Sequence, residues 1–418
     1  MSRRHAEVVG GGLGGLGVAI ALAQSGWTVR VHEARPELRM YGGALHLWEN
    51  GLLVLEKYGT LDKTLERSNP IATWSVFDDK CHELQCLEYR DPKGDRLYLP
   101  PRAALNRALV LAAEREGVEI VTNSAGVYAA PDGSVGFSDG STLKADLVIA
   151  ADGLRSRLRE SLRLTKKLEQ HGGASTRMLV PTSVCDPGNR IDTYMGHGDS
   201  GDAGMMLGGA SHDSTYVSIF GHYDNPRNSQ IPLDTEYWVS AYPVHRELME
   251  ALSEISREEG QARRDRHSQV TCKSWSAGKV AIVGDAAHGL SPYLGQGANL
   301  ALQNGLALSV ALDGAKDVPS ALQAWEQRER KLTNHAQFWS KTLAMLSEDW
   351  PKGLLRPQIM RLTNKSAWVG KQLDRPASNI PRGTEEIAAR RRKAREAADS
   401  SRSLVAPAPA LHQREQVT

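Results

Sequence analysis

Apolar residues follow two periods along this chain, and the period changes where the function of the segment changes. Short, largely apolar runs at 6–9, 147–150 and 280–283 read as strands buried on both faces, as in a parallel sheet between helices. Stripes at helical spacing follow them: Val18, Ala19, Ala21, Leu22 and Ala23, then Leu105, Ala108, Leu109 and Ala112 within 102–116. Two more helices are predicted over 300–312 and 320–346, with Trp325 and Trp339 as core or interface residues. Strands are expected at 28–32 and 119–122, and a hairpin over 135–143 turns at Asp139-Gly140. From about 176 to 223 the pattern shifts to short β-rich runs such as 177–184 and 214–220.

That shift divides the chain. The fold class is α/β: a Rossmann-like dinucleotide domain, a β-sheet substrate domain and C-terminal helices. The first part of the nucleotide domain takes 1–175, with substrate-domain segments near 70–100; the substrate domain takes 176–268, and the nucleotide domain resumes over 269–345. A helical segment follows at 346–384. Residues 385–418, with Arg390, Arg391, Arg392, Lys393 and Arg395 crowded together and Ala406-Pro407-Ala408-Pro409 after them, read as a basic tail, a solvated helix end fading into disorder.

Three motifs carry chemistry. Gly10, Gly12 and Gly15 stand in G-x-G-x-x-G register directly after the first strand, and the strand that follows the next helix ends in Glu33. This is the order a dinucleotide-binding βαβ unit needs: glycines for the turn, a helix N-terminus for pyrophosphate and an acid for ribose. Gly284-Asp285-Ala286-Ala287-His288, then Pro292 and Gly295-Gln296-Gly297-Ala298-Asn299, place an aspartate at a strand end and a bare backbone at a helix start, which suits a ribityl chain and a large planar ring. The third motif is Asp152-Gly153-Leu154-Arg155-Ser156, after the strand at 147–150.

In this order and at these separations the motifs resemble the single-component FAD-dependent aromatic hydroxylases, the class A flavoprotein monooxygenases. The resemblance covers roughly 5 to 345. His32-Glu33-Ala34 and Leu47-Trp48-Glu49-Asn50-Gly51 are most similar to the branch that oxygenates hydroxypyridine carboxylates. It implies FAD as cofactor, NADH or NADPH as co-substrate, and transfer of an oxygen atom from dioxygen to an electron-rich ring, a phenol such as a nitrophenol or a hydroxypyridine. It further implies that Asp152 and Asp285 serve FAD, that Arg102 lies near its ribose and pyrophosphate, and that Pro292 with Gly295, Gln296, Gly297, Ala298 and Asn299 flanks the ring. For Arg102 the alternative is a solvated first-turn charge.

Substrate residues are open between two readings each. His46 is expected at the flavin edge, where it would hydrogen-bond or deprotonate a phenol, or it is a strand histidine pointing away. Tyr216 matches a tyrosine placed over the substrate in that branch, or is a core tyrosine. Arg177 is a substrate-side cation or a rim charge. Where the acid-binding branch has an arginine, this chain offers Met205, Met206 and Leu207, which favours a neutral phenol over an aromatic acid. The competing functions are a halogenase or dehydrogenase of the same fold, a ring-opening oxygenase, and an FAD-holding redox sensor.

Composition narrows the partners. A net charge of +2 over 418 residues leaves no electrostatic footprint for nucleic acid. Four cysteines without metal-ligand spacing point to reduced thiols in the cytoplasm, with no metal and no membrane partner. A monomer or homodimer is expected.

Overall fold

The computed structural model describes residues 3–40, 42–78, 80–91, 94–197, 203–346 and 366–403; the expectation of disorder for 404–418 lies outside them. The first sheet has six strands in the order Ser276–Ala277, Val280–Ile282, Leu147–Ala150, His5–Val9, Thr28–His32, Glu119–Val121. All its pairs are parallel except the terminal hairpin, and Ala6 lies in register with both Leu147 and Val29. Its central strands are apolar because both faces are covered. Helix Leu13–Gln24 packs between Arg102–Arg115 and Gly297–Leu312, so it is apolar on nearly every side. On the other face lies a three-stranded sheet, Gly126–Ala130, Ser134–Phe137 and Thr142–Lys144, turned at Gly140 as expected.

The second domain is a seven-stranded sheet in the order Arg263–Cys272, Thr165–Pro181, Ser214–His222, Ala203–Ser211, Arg190–His197, Thr73–Phe77, Glu83–Glu88. The strand expected at 177–184 is the end of a longer one, Thr165–Pro181, that begins beside the nucleotide domain and runs the length of the second sheet. Side chains alternate across this sheet. Met178, Met205, Leu207, Val217 and Ile219 face helices Thr235–Ala241 and Arg246–Ile255. Leu179, Ile191, Met206 and Tyr216 face the nucleotide domain, meeting Ala44, Trp48, Leu97 and Leu99.

The tail begins as a helix, Glu385–Ser403, but it is docked rather than solvated, with three arginines on one neighbour: Arg390 and Arg391 pair with Glu56, and Arg395 pairs with Glu49 at 2.9 Å. Both acids belong to helix Glu49–Lys57. Composition suggested a solvated charge run because it shows the cations and not the distant acids that receive them. The four cysteines are free thiols. Among the described residues no helix is long and apolar enough to cross a membrane, and no cluster of side chains could hold a metal.

Candidate active site

The three glycines of the first turn do different work. Gly10 has φ +111° and donates to His32 O at 2.7 Å, and a methyl group there would run into the Ala151 backbone. A methyl at Gly15 would overlap the Gly10 carbonyl oxygen. These two let helix and strand close on one another. Gly12 is the helix N-cap, and a methyl there would meet nothing within 4 Å. It faces open space at a helix start with no capping side chain and no acid in its first turn, which leaves N–H groups for an anion. Glu33 braces this turn: Oε2 accepts from Gly11 N at 3.0 Å and Oε1 from Arg35 N at 3.1 Å.

Asp285 follows strand Val280–Ile282 and is reached through Gly284 at φ +59°. Asp285 keeps a solvent-exposed face and no described residue donates a hydrogen bond to its carboxylate, while dense surroundings make the charge costly to hold. Burial raises its pKa, opposed by Arg102 and Arg263. Arg102 is not a solvated first-turn charge. It is half-buried, burial lowers its pKa against the pull of Asp285 and Asp265, and its Nε is enclosed without a partner. An open backbone at Gly12, a carboxylate without donors and an orphaned guanidinium nitrogen along one cleft fit the pyrophosphate and polyol of a dinucleotide.

Asp152 holds its own segment in place. Its Oδ1 accepts from Ser156 Oγ at 2.5 Å and Oδ2 from Leu158 N at 3.2 Å, so the carboxylate holds the start of helix Arg157–Ser161. The part of this segment left open is Gly153, at φ +82° with nothing within 4 Å of a Cβ position.

Pro292–Leu294 is a 3-10 turn, with Pro292 exposed, and Gly295 at φ +59° leads into helix Gly297–Leu312. Gly297 and the half-buried Ala298 open that helix without an acid in its first turn. A Cβ on Gly295 would lie 2.9 Å from His46 Cβ and 3.2 Å from Trp48 Nε1. The side chains of Gln296 and Asn299 turn inward. Asn299 donates to His46 O and Gly295 O, both at 2.9 Å, and accepts from Trp48 N at 3.1 Å, while Gln296 accepts from Asn50 at 3.1 Å. What this loop offers the cleft is backbone; its amides staple it to the segment carrying His46.

His46 is no strand histidine pointing away. Its ring stacks on Trp74 with centroids 5.2 Å apart at 17°, and Nε2 is enclosed without a partner. Burial, then Arg177, pulls its pKa down from 6.5 to about 4. Arg177 itself pairs with Asp265 at 3.1 Å. A methyl on Gly43 would overlap the ring of Tyr216, which is buried on the same face. Met206 joins this wall. Met205 does not, because one step along a strand turns it to the opposite face, among the residues under the helices.

Sequence reading missed Trp74, Thr193 and Ser218. Trp74 Nε1 donates to Thr193 Oγ1 at 3.0 Å. Arg177 pairs in register with Ser218, Ser218 with Met206 and Met206 with Thr193, so the four form one row across the sheet. Only register reveals such a row; alternation in strand Thr73–Phe77 was the one local signal for Trp74.

His288 is buried beside this loop, takes a hydrogen bond from Asn304 at 3.1 Å, and is pulled by burial from 6.5 to about 4. The unfolded chain binds that proton near 6.5 and the folded chain only near 4, so the stability it contributes is full above 6.5 and lost as pH falls towards 4. The loss amounts to at most about 3 kcal/mol. Thermal melts from pH 7 down to 4.5 should show a falling midpoint, and His288→Gln should flatten that slope; an unchanged slope would assign acid sensitivity to other groups.

Comparison with known proteins gives the family. Residues 4–331 match the family model described as FAD binding domain. The 2-heptyl-3-hydroxy-4(1H)-quinolone synthase of Mycobacteroides abscessus is 34% identical over 377 residues, 89% of this chain and 98% of that protein. The 3-amino-4-hydroxybenzoate 2-monooxygenase of Streptomyces cremeus is 31% identical over 388 residues, 87% of this chain and 93% of that protein. Among solved structures, the tetrameric form of 2-methyl-3-hydroxypyridine-5-carboxylic acid oxygenase superposes with a TM-score of 0.80 at 31% identity, covering 91% of this chain and 98% of that one. With its glycine turn, its aspartate at the strand end and its backbone loop facing a substrate sheet, the chain belongs to the FAD binding domain family and, within it, to the class A FAD-dependent aromatic-ring monooxygenases.

Proposed function

We propose that this protein uses NAD(P)H and dioxygen to hydroxylate an uncharged aromatic ring that carries a hydroxyl or ring oxo group, a phenol, hydroxypyridine or 4(1H)-quinolone. Bound FAD, once reduced by NAD(P)H, would supply the two electrons by which one atom of dioxygen goes to the ring and the other to water. The protein's share is orientation, exclusion of water and control of charge. Gly12 and the helix start behind it would hold the pyrophosphate, Arg102 and Asp285 the ribose side and polyol, and the backbone of Gly295–Asn299 the ring edge.

The observation that carries the substrate class is the charge state of the wall opposite that loop. His46 is neutral at physiological pH, and Arg177 and its cross-strand neighbour Arg263 are both held by Asp265, so a substrate carboxylate would have to draw a guanidinium away from that shared carboxylate. A neutral ring loses less. Trp74, Met206 and Tyr216 give it apolar contact, and the neutral His46 imidazole accepts a hydrogen bond from its hydroxyl or ring N–H, which raises electron density on the ring. With a pKa near 4, His46 is a weak base beside a phenol near 10, so it polarises the donor more than it removes the proton.

A screen of NAD(P)H consumption decides this. Neutral phenols, hydroxypyridines and 4(1H)-quinolones should stimulate it, and the matching ring carboxylates should do so about tenfold less, the cost of losing one charge-assisted hydrogen bond to Asp265. Product oxygen should carry label from labelled dioxygen. Stimulation by carboxylates alone would reverse the substrate class, and label from water alone would exclude a monooxygenase.

A further inference from the structure

The buried amides behind the loop Gly295–Asn299 do not end at the site. Asn50 is fully buried and donates through Nδ2 to Gln296 Oε1 at 3.1 Å and to Gln303 Oε1 at 3.4 Å. Gln303 Oε1 also accepts from Asn379 Nδ2 at 3.1 Å, and the Asn50 backbone N–H donates to Ala377 O at 3.2 Å. Two carboxamides, those of Asn50 and Gln303, thus join the loop to a segment more than 70 residues further along the chain.

That segment is seated by contacts of several kinds. His335 Nε2 donates to Gln372 O at 2.8 Å, and Arg96 bridges Asp374 at 3.1 Å to Glu49 at 3.4 Å. Gly383 sits against Val310 and Leu306 on the helix that the loop opens, with a Cβ position 3.0 Å from Val310. The last helix then closes on Glu56 and Glu49. The two elements that the whole segment touches, Glu49–Lys57 and Gly297–Leu312, begin at the wall of the site: one directly after His46–Trp48, the other directly after Gly295-Gln296.

We propose that Asn50 is a positioning residue through which the C-terminal segment 366–395 sets the loop Gly295–Asn299 against His46. The proposal rests on the reading that this loop faces the flavin ring. Partly exposed ion pairs of this kind add little to stability singly. Their effect is to fix one arrangement of a buried amide relay whose members would otherwise compete for partners, since Asn50 Oδ1 and Gln303 Nε2 are themselves enclosed without partners.

Amide hydrogen exchange tests the coupling without any substrate. In Asn379→Ala and in Glu49→Gln/Glu56→Gln, peptides covering 290–304 should exchange roughly fivefold faster than in wild type, the effect of losing one hydrogen bond, while peptides covering 146–151 in the central sheet stay unchanged. The affinity for FAD, followed by Trp fluorescence on titration, should fall by a similar factor. Wild-type exchange at 290–304 in both variants overturns the proposal. So does acceleration spread evenly into 146–151, which would be a general loss of stability. Neither outcome depends on which aromatic ring is turned over, so failure here leaves the proposed activity standing.

Discussion

Gly15→Ala should yield little or no folded protein, whereas Gly12→Ala should yield folded protein that holds FAD poorly. Helix propensity alone favours alanine at Gly15 by about 1 kcal/mol. The added methyl would overlap the Gly10 carbonyl oxygen, and overpacking against backbone cannot be relieved by turning a side chain; it should cost about 3 kcal/mol or more, outweighing the propensity gain. Gly12 has an extended backbone, φ −80° and ψ −178°, which alanine adopts freely, and open space around its Cβ position. The methyl there would stand where the pyrophosphate must approach the helix start, so Kd for FAD should rise by roughly tenfold to a hundredfold. Thermal melts of the FAD-free proteins and fluorescence titration with FAD separate the two effects. Equal loss of stability in both variants would mean that Gly12 also serves packing alone.

The difference between these glycines shows what the sequence could not say. The G-x-G-x-x-G register is legible in one dimension, because turn, helix packing and anion approach all lie within a few residues. The doubly covered sheet was legible for a similar reason, since parallel strands are uniformly apolar. Asp152 has a local role the sequence did not show: an acid after a strand reads as a ligand group, and Ser156 and Leu158, four and six residues on, each donate to one of its oxygens. Gln296 and Asn299 likewise sit in the right loop and point away from the cleft, towards Asn50 and the His46–Trp48 segment. Contacts that join distant stretches leave no local trace. The row of Arg177, Ser218, Met206 and Thr193 depends on three strand registers, and the docking of Arg390, Arg391 and Arg395 depends on acids more than 300 residues earlier. Met205 shows the smallest version of the same limit, where one residue of phase decides which core a side chain enters.

Replacing His46 with alanine should lower coupled turnover by roughly a hundredfold and raise hydrogen peroxide released per NAD(P)H, while FAD content stays at the wild-type level. His46 contributes through its ring, whereas its backbone carbonyl is what Asn299 holds, so the loop remains stapled in the variant. Losing the ring removes the acceptor for the substrate hydroxyl and the stacking partner of Trp74 together. His46→Gln restores an acceptor without the ring stack, and the pair of variants apportions the effect: recovery in glutamine assigns it to the hydrogen bond, and no recovery assigns it to orientation of the ring by stacking. The pH profile is a second check. Because burial and Arg177 hold His46 near 4, its protonation should leave the profile flat from pH 6 to 8, and a wild-type inflection near 6.5 that disappears in alanine would show the imidazole titrating as an ordinary exposed histidine. If the hydrogen bond strengthens as charge leaves the ring, the loss falls on kcat; if it only seats the substrate, the loss falls on KM. Wild-type coupling and wild-type KM in both variants would place the chemistry elsewhere on this wall, with Tyr216 and the Arg177 row the next groups in reach.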